Sequence, residues 1–258
     1  MKTLCPAVAV AIAVAAAVPV NAATIGLTGT IRDFKDTHPD FEFLIATDPG
    51  IVESTLGADG KPVYAGVKGN PTTTGKMAFD QWYRDTAGVN TKKSLSITLD
   101  NTITPDPEIY TFADSSFFPI DGELFGNEGR SHNYHFTYEL HTRFTYTGGE
   151  TFSFTGDDDL WVFINDTLAI DLGGVHGPLS SSVSLDAIAA TLGITTGSDY
   201  DLDIFFAERH TAASNFRIDT SILLEQPQDV PEPSTMLGVG AAVGLGVLRR
   251  KQALRQSS

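Results

Sequence analysis

The stretch Asn133-Tyr134-His135-Phe136-Thr137-Tyr138-Glu139-Leu140-His141-Thr142-Arg143-Phe144-Thr145-Tyr146 alternates with a period of two. Tyr134, Phe136, Tyr138, Leu140, Phe144 and Tyr146 share one parity, while Asn133, His135, Thr137, Glu139, His141, Arg143 and Thr145 share the other. Successive side chains of a strand point to opposite faces, so the pattern predicts a strand with one packed face and one polar face turned to water or a ligand. Gly148-Gly149 reads as the turn that ends it. Working outward, Phe152 and Phe154 alternate with Thr151, Ser153 and Thr155, and Leu95, Ile97 and Leu99 alternate with Ser94, Ser96 and Thr98. Leu160 to Ile164 is apolar on both parities, as in a strand covered on both sides. Leu168 to Leu172, then Leu202, Ile204 and Phe206, then Phe216, Ile218 and Ile222 supply further strands. Only Leu185–Leu192 and Ala78–Asp85 read as short helices, and residues 46–76, rich in Gly, Pro, Thr and Asp, read as long loops. Many short strands joined by Gly-rich turns predict an all-β fold, a β-sandwich or barrel.

The chain has 258 residues, of which 41% are hydrophobic, enough to bury a core. Its 17 basic and 32 acidic side chains give a formal charge of −15. The basic residues between Arg32 and Arg217 are scattered, with Lys92-Lys93 the only adjacent pair. A protein that grips a phosphate backbone needs a basic footprint, so nucleic acid is excluded as a partner. An acidic surface can instead collect hard divalent cations.

Both ends of the chain differ from its middle. Residues 1–22 read as a secretory signal: Lys2 is the positive start, Val8 to Val18 the apolar run, and Val20-Asn21-Ala22 the small-x-small cleavage site. Cys5, the single cysteine, lies in that segment, so a mature chain would have no disulfide and would need another source of stability, such as a large β core or a bound metal. The body is expected over residues 23–226 and a separate tail over 227–258. The tail begins with Val230-Pro231-Glu232-Pro233-Ser234, continues as an apolar, Gly-rich run from Met236 to Leu248, and ends with Arg249-Arg250-Lys251. At about 1.5 Å per residue a helix of that apolar run would span about 20 Å, short of the ~30 Å hydrocarbon core. The order of these three parts resembles the PEP-CTERM sorting signal of Gram-negative bacteria that make exopolysaccharide. The resemblance implies transient inner-membrane association through residues 236–248, processing by an exosortase-type enzyme, and delivery to the cell surface or extracellular matrix.

Two polar clusters could carry chemistry. In Thr155-Gly156-Asp157-Asp158-Asp159-Leu160-Trp161, three successive carboxylates sit at the join of two strands. Two unit charges about 4 Å apart repel by roughly 4 kcal/mol at an effective dielectric near 20, so bulk water or a cation must relieve them. Ca²⁺ accepts six to eight oxygen ligands in irregular geometry, and the segment is no EF-hand, lacking the loop glycine and the distal Glu. Bulk solvation of a polar turn accounts for the same residues. The second cluster, Glu208-Arg209-His210-Thr211-Ala212-Ala213-Ser214-Asn215, is a polar loop between two apolar strands. His132, His135 and His141 read as part of an exposed polar strand face rather than a zinc site. No Gly-x-Ser-x-Gly, phosphate loop or His-Glu-x-x-His occurs; a carboxylate pair for glycoside hydrolysis stays open, since it is recognised by distance.

Several blocks in order carry a further resemblance: Gly29-Thr30-Ile31-Arg32-Asp33-Phe34, His38-Pro39-Asp40-Phe41-Glu42, Phe79-Asp80-Gln81-Trp82-Tyr83, Ser116-Phe117-Phe118-Pro119-Ile120-Asp121-Gly122, Gly156 to Asn165, Asp171-Leu172-Gly173-Gly174-Val175-His176, and Phe206-Ala207-Glu208-Arg209-His210. From about Gly29 to Leu224 the body resembles the fibro-slime domain of bacterial extracellular and slime-mould matrix proteins, which overlaps the protective-antigen-type (PA14) β-sandwich of sugar-binding adhesins and some glycosidases. The resemblance implies a Ca²⁺ ion held by the Asp157-Asp158 pair, with Asn215 as the loop amide and Asp159 a further candidate. It also implies an extracellular polysaccharide as partner, with sugar hydroxyls taking open positions on the ion; beside it, His176, Glu208, Arg209 and His210 are expected to supply further polar contacts. Trp161 or Trp82 is a candidate face for sugar stacking, with packing in the core the favoured reading for Trp161. The rival readings are a matrix protein whose ion is only structural, and a glycoside hydrolase.

Overall fold

The structure, a computed structural model, describes residues 22–66 and 70–225. The expected sorting tail, and the signal peptide apart from Ala22, lie outside the described residues. Among the described residues no helix is long and apolar enough to cross a membrane.

The body is an all-β sandwich. Its strands are β1 (Thr24–Phe34), β2 (Ala46–Thr47), β3 (Asn90–Asp100), β4 (Tyr110–Asp114), β5 (Phe136–Tyr146), β6 (Thr151–Asp157), β7 (Asp159–Ile164), β8 (Thr167–Leu172), β9 (Gly174–Val175), β10 (Leu179–Ser184), β11 (Ser198–Glu208) and β12 (Asn215–Thr220). Ten of them form one antiparallel sheet in the order β10-β6-β12-β4-β3-β1-β5-β11-β7-β8, while β2 pairs with β9 separately. The two edge strands, β8 and β10, approach one another, so the sheet curls until it is nearly closed. That curl removes much of the exposed edge that a flat sheet would offer to other chains.

The curl encloses the main core. Phe136, Tyr138, Leu140 and Phe144 of β5, Phe152 and Phe154 of β6, and Leu202, Ile204 and Phe206 of β11 all point into it. β7 is buried on both faces, as its doubly apolar sequence predicts: Leu160, Val162 and Ile164 enter the main core, and Trp161 and Phe163 enter a second cluster with Phe205, Trp82, Phe79 and Ile51.

That second cluster explains where the structure departs from the sequence reading. The other parity of β5 and the residues before it do not face water: Asn133, His135, Thr137 and Glu139 are buried, and exposure begins only at His141 and Arg143. Chain from the loops between β1 and β3 lies over this face, and Glu139 is tolerated there because Arg32 Nη1 (2.9 Å) and Lys61 Nζ (2.6 Å) neutralise it. The helix expected at Ala78–Asp85 is a single turn, α1 (Lys76–Phe79). Consecutive Trp82 and Tyr83 must both be buried, so the backbone leaves the helix, and side chains take over its carbonyls: Thr137 Oγ1 donates to Trp82 O (2.6 Å) and Asn90 Nδ2 to Gln81 O (3.0 Å) and Arg84 O (2.9 Å). The other helix, α2 (Leu185–Leu192), spans the expected residues and ends at Gly193, whose φ of 67° suits a residue without Cβ.

Candidate metal centre and ligand cleft

Strand ends build the site. Asp157 closes β6, Asp159 opens β7, Glu208 closes β11 and Asn215 opens β12. Register then brings distant residues together: Asn215 stands opposite Asp157 and Ala207 opposite Asp159, which carries Glu208 to the carboxylate turn. The Asp157–Asp158 peptide bond is cis. Carboxylate oxygens of Asp157, Asp158 and Glu208 lie within 4.8 Å of one another.

The three carboxylates differ in what satisfies them. Asp157 Oδ2 accepts from Asn215 Nδ2 (2.8 Å). Asp158 Oδ1 accepts from the His176 backbone N–H (3.0 Å) and its Oδ2 from the Arg209 backbone N–H (3.0 Å). Glu208 is 0% exposed, and neither of its oxygens has a hydrogen bond of ordinary geometry. The Ser214 hydroxyl and the His210 backbone N–H ease its charge only weakly. Burial, compounded by the Asp158 and Asp157 charges, pushes the Glu208 carboxyl well above the usual range. Burial does the same to Asp158, against the Arg209 charge and with the help of Asp159 and Asp157, and raises Asp157 more modestly. A buried acid without a partner is expensive when ionised. A cation would remove that cost. The donor set is all hard oxygen and converges at short range, which fits a hard divalent cation such as Ca²⁺ and offers no thiolate or imidazole for a softer metal.

Asp159 is turned the other way. Its Oδ1 accepts from the Gly174 backbone N–H (2.6 Å) and its Oδ2 from Arg209 Nε (2.5 Å). The Arg209 side chain is 0% exposed: Nη1 donates to the Asp40 (3.0 Å) and Thr72 (2.6 Å) carbonyls, and the guanidinium lies 4.5 Å from the Trp82 ring. Arg209 thus reaches the candidate centre through its backbone alone, and its charge answers Asp159 in the interior. Both tryptophans are 0% exposed: Trp161 packs in the core as favoured, with Nε1 tied to Asp171, and the stacking role considered for Trp82 is corrected, its Nε1 being tied to Asp40.

Beside Asp157 and Asp158 opens a cleft of about 140 Å³, lined also by His176 and His210. The His176 ring lies between the Leu172 (3.2 Å) and Gly177 (2.9 Å) carbonyls. His210 Nε2 is 3.5 Å from Glu42 Oε2. Glu42, which sequence reading quoted within a block without a role, is the hub of this rim. Its Oε1 meets His135 Nε2 (2.9 Å) and the Thr211 N–H (3.1 Å), and its own N–H donates to Arg209 O (2.8 Å). The membership of Glu208 in the carboxylate cluster was also missed, although its place at the end of an apolar strand, before a polar loop, was visible.

With this geometry in hand, the comparisons with known proteins are specific in two places. Residues 127–231, from the approach to β5 onward, match the PA14 domain, and residues 229–251 match the PEP-CTERM protein-sorting motif. That motif implies an exported protein processed by an exosortase. The strands β1, β3 and β4 lie outside the PA14 match yet belong to the same sheet. Protein psiR of Dictyostelium discoideum is 39% identical over 222 residues, covering 80% of this chain and 22% of psiR. Protein psiC of the same organism is 39% identical over 219 residues, covering 78% of this chain and 42% of psiC. The chain therefore spans about a fifth to two-fifths of the length of these relatives. Among solved structures, the PA14 sugar-binding domain from an RTX adhesin is similar at 10% identity and a TM-score of 0.33, over 76% of this chain and 90% of that one.

Proposed function

We propose that this chain is an exported module of the fibro-slime type, associated with the cell surface or matrix, that binds extracellular polysaccharide through a Ca²⁺ ion. Asp157, Asp158 and Glu208 would hold the ion, with Asn215 at its edge. When bound, the ion supplies open coordination positions for vicinal sugar hydroxyls. The protein's own part is to hold three carboxylates at short range, fix Asp158 through two backbone N–H groups, and shape the cleft with His176 and His210. The observation that carries this reading is Glu208, fully buried, without a hydrogen-bond partner and aimed at two other carboxylates.

The arrangement suits binding better than hydrolysis. Carboxylate oxygens of three acids converge within 4.8 Å, an arrangement that suits shared coordination of one cation. In this reading residues 1–22 are the signal peptide, 23–226 the binding body and 227–258 the tail that an exosortase-type enzyme removes after transient membrane insertion of 236–248. The test is a glycan array, with the host exopolysaccharide in parallel, probed with and without EDTA. Retention that needs Ca²⁺ and is lost in Asp158→Ala is expected. Release of reducing ends by wild type would make the protein an enzyme instead. A purely structural ion is favoured by one observation, the near-complete burial of all three carboxylates. It predicts Ca²⁺ binding with no glycan retained on any surface.

A further inference from the structure

A groove of about 500 Å³ opens at the opposite pole of the sandwich from the carboxylates. β6 and β12 join the two places. Asp157 closes β6 and Asn215 opens β12 at one pole, while at the other the Ser221 N–H donates to Thr151 O (3.1 Å). At ~3.3 Å per residue, the length of β6 sets the two poles about 20 Å apart. Three pieces of chain line the groove: Pro107, Glu108 and Tyr110 at the entry to β4, the β5–β6 turn 147–150, and Ser221 with Leu223 after β12. The turn is a fixed wall. Buried Glu150 accepts from the Thr147 N–H (2.6 Å), Thr147 Oγ1 (2.5 Å) and the Gly148 N–H (2.7 Å), and the Gly149 N–H donates to Asp186 Oδ1 (2.7 Å). The entry to β4 is held too, since Asn101 Nδ2 donates to Pro107 O (3.0 Å) and the Ile109 N–H to Asp106 O (3.1 Å).

The lining is amphipathic. Leu223 is 65% exposed, Pro107 is exposed, and Tyr110 is half-buried against the main core. Beside them stand two uncommitted polar groups: among the described residues, neither the Glu108 carboxylate nor the Tyr110 hydroxyl has a partner. No lysine, arginine or histidine lines the groove, so a phosphate, sulfate or uronate would meet only negative side-chain charge there. A peptide backbone finds no strand to extend, because β4, β5, β6 and β12 each lie between two other strands of the sheet. The volume falls within the range of about 300–1,000 Å³ typical of small-molecule sites. A neutral sugar matches this lining, with apolar C–H faces and a rim of hydroxyls. We infer that the groove is a second saccharide site, independent of metal, for a neutral stretch of polysaccharide; that the ligand is a polysaccharide rests on the function proposed above. Ring C–H groups pack on Leu223, Pro107 and Tyr110, while hydroxyls donate to the Glu108 carboxylate and bond the Tyr110 hydroxyl. With a site at each pole, one module holds two chains, or two stretches of one, and gains an avidity that neither weak site has alone.

The test is run in EDTA, which keeps metal from the carboxylates. The full chain, labelled with ¹⁵N, is titrated with cellotriose, maltotriose, mannotriose and neutral fragments of the host exopolysaccharide. The amide signals of Gly148, Gly149 and Ser221 should shift with at least one of these probes and saturate at about millimolar concentration, and should stay still with trigalacturonate. A washed array does not retain so weak a single site, so retention there still needs Ca²⁺. Leu223→Asp and Glu108→Ala, both at exposed side chains, should weaken the saturable binding about tenfold or more with the melting temperature unchanged. In Ca²⁺, retention of these variants on the host polymer should fall about tenfold, because the second contact is gone. No shift with any neutral probe, equal shifts with trigalacturonate, or binding unchanged in both variants would overturn the inference and leave the carboxylate cleft standing. Shifts in EDTA with no further binding on adding Ca²⁺ would support this groove and count against the cleft. Absence of glycan binding in Ca²⁺ and in EDTA alike would overturn both this inference and the proposed function.

Discussion

The two faces of β7 and β11 are closed by different means. On the inner face, Leu160, Val162, Ile164, Leu202, Ile204 and Phe206 are buried among other apolar side chains, and non-directional burial holds them. On the outer face, Trp161, Phe163, Phe205 and Ala207 make a smaller cluster, and the chain that covers it is stapled by carboxylates, of which Asp40 and Asp48 are buried and Asp171 half-buried. Asp40 accepts from the Thr74 N–H (2.6 Å), Thr74 Oγ1 (2.6 Å) and Trp82 Nε1 (3.1 Å). Asp48 accepts from Asn70 Nδ2 (2.7 Å), the Thr72 N–H (3.0 Å) and Thr72 Oγ1 (2.7 Å). Asp171 accepts from the Gly50 N–H (2.7 Å) and Trp161 Nε1 (2.9 Å). The chain has one cysteine, at position 5, so no disulfide can tie these loops. Carboxylate-to-backbone bonds take over that task, and such charge-assisted bonds are stronger than neutral ones.

The difference can be broken at its strongest joint first. Arg209 is the charge under the whole outer cover, and removing one partner of a buried ion pair leaves the other uncompensated, at about 3–5 kcal/mol. Arg209→Ala should therefore lower the melting temperature by roughly 10 °C or more, at about 2–4 °C per kcal/mol for a domain of this size. Thermal circular dichroism checks this. Phe206→Ala, on the inner face, should cost a comparable 3–5 kcal/mol or so by leaving a cavity, and should loosen the whole sheet. Asp48→Ala should cost less, about 1–3 kcal/mol for the donors it strands, and should act locally. Limited proteolysis of that variant should cut between residues 46 and 76 before the sheet strands lose their protection. Equal protection of loop and sheet would mean that the two faces form one cooperative unit.

The smallest expected effect is a pH dependence of the outer face. Burial and the Lys61 charge lower the His141 pKa, but the hydrogen bond to Asp203 (2.6 Å) and the Glu139 carboxylate 3.8 Å away outweigh them and raise the pKa to about 9. A histidine held above its unfolded value contributes stability that is complete below about pH 6.5 and is lost as pH rises through about 9. The His141 side chain is 40% exposed, so solvent screens much of this. Melting curves between about pH 6 and pH 9.5 should show a modest decline in wild type that flattens in His141→Gln. A decline of the same size in the variant would assign it to other groups.

The architecture was legible where burial follows from pattern. Period-two alternation gave β5, β6 and β3, and the doubly apolar Leu160–Ile164 predicted its own two-sided burial. The outer cover was not legible, because residues 46–76 have loop composition and their order comes from carboxylate bonds to distant backbone N–H groups. For the same reason the polar parity of β5 looked solvated. At the candidate site, adjacent Asp157 and Asp158 are visible in any reading of the chain. That Glu208 lies among them, while Arg209 beside it turns inward, depends on the register of β11 against β7 and on burial, neither of which local sequence contains.

The central claim is that Asp157, Asp158 and Glu208 bind Ca²⁺, and calorimetric titration of Ca²⁺ into wild type and Glu208→Gln at about pH 5 and pH 8 tests it most directly. Burial raises the Glu208 and Asp158 pKa values, so protons compete with Ca²⁺ for these carboxylates increasingly as pH falls. The account predicts wild-type binding at about 1 mM or tighter at the higher pH, weaker binding at the lower pH, and a loss of about tenfold or more in Glu208→Gln. Absence of binding up to about 10 mM at both pH values, or unchanged affinity in Glu208→Gln, would contradict it.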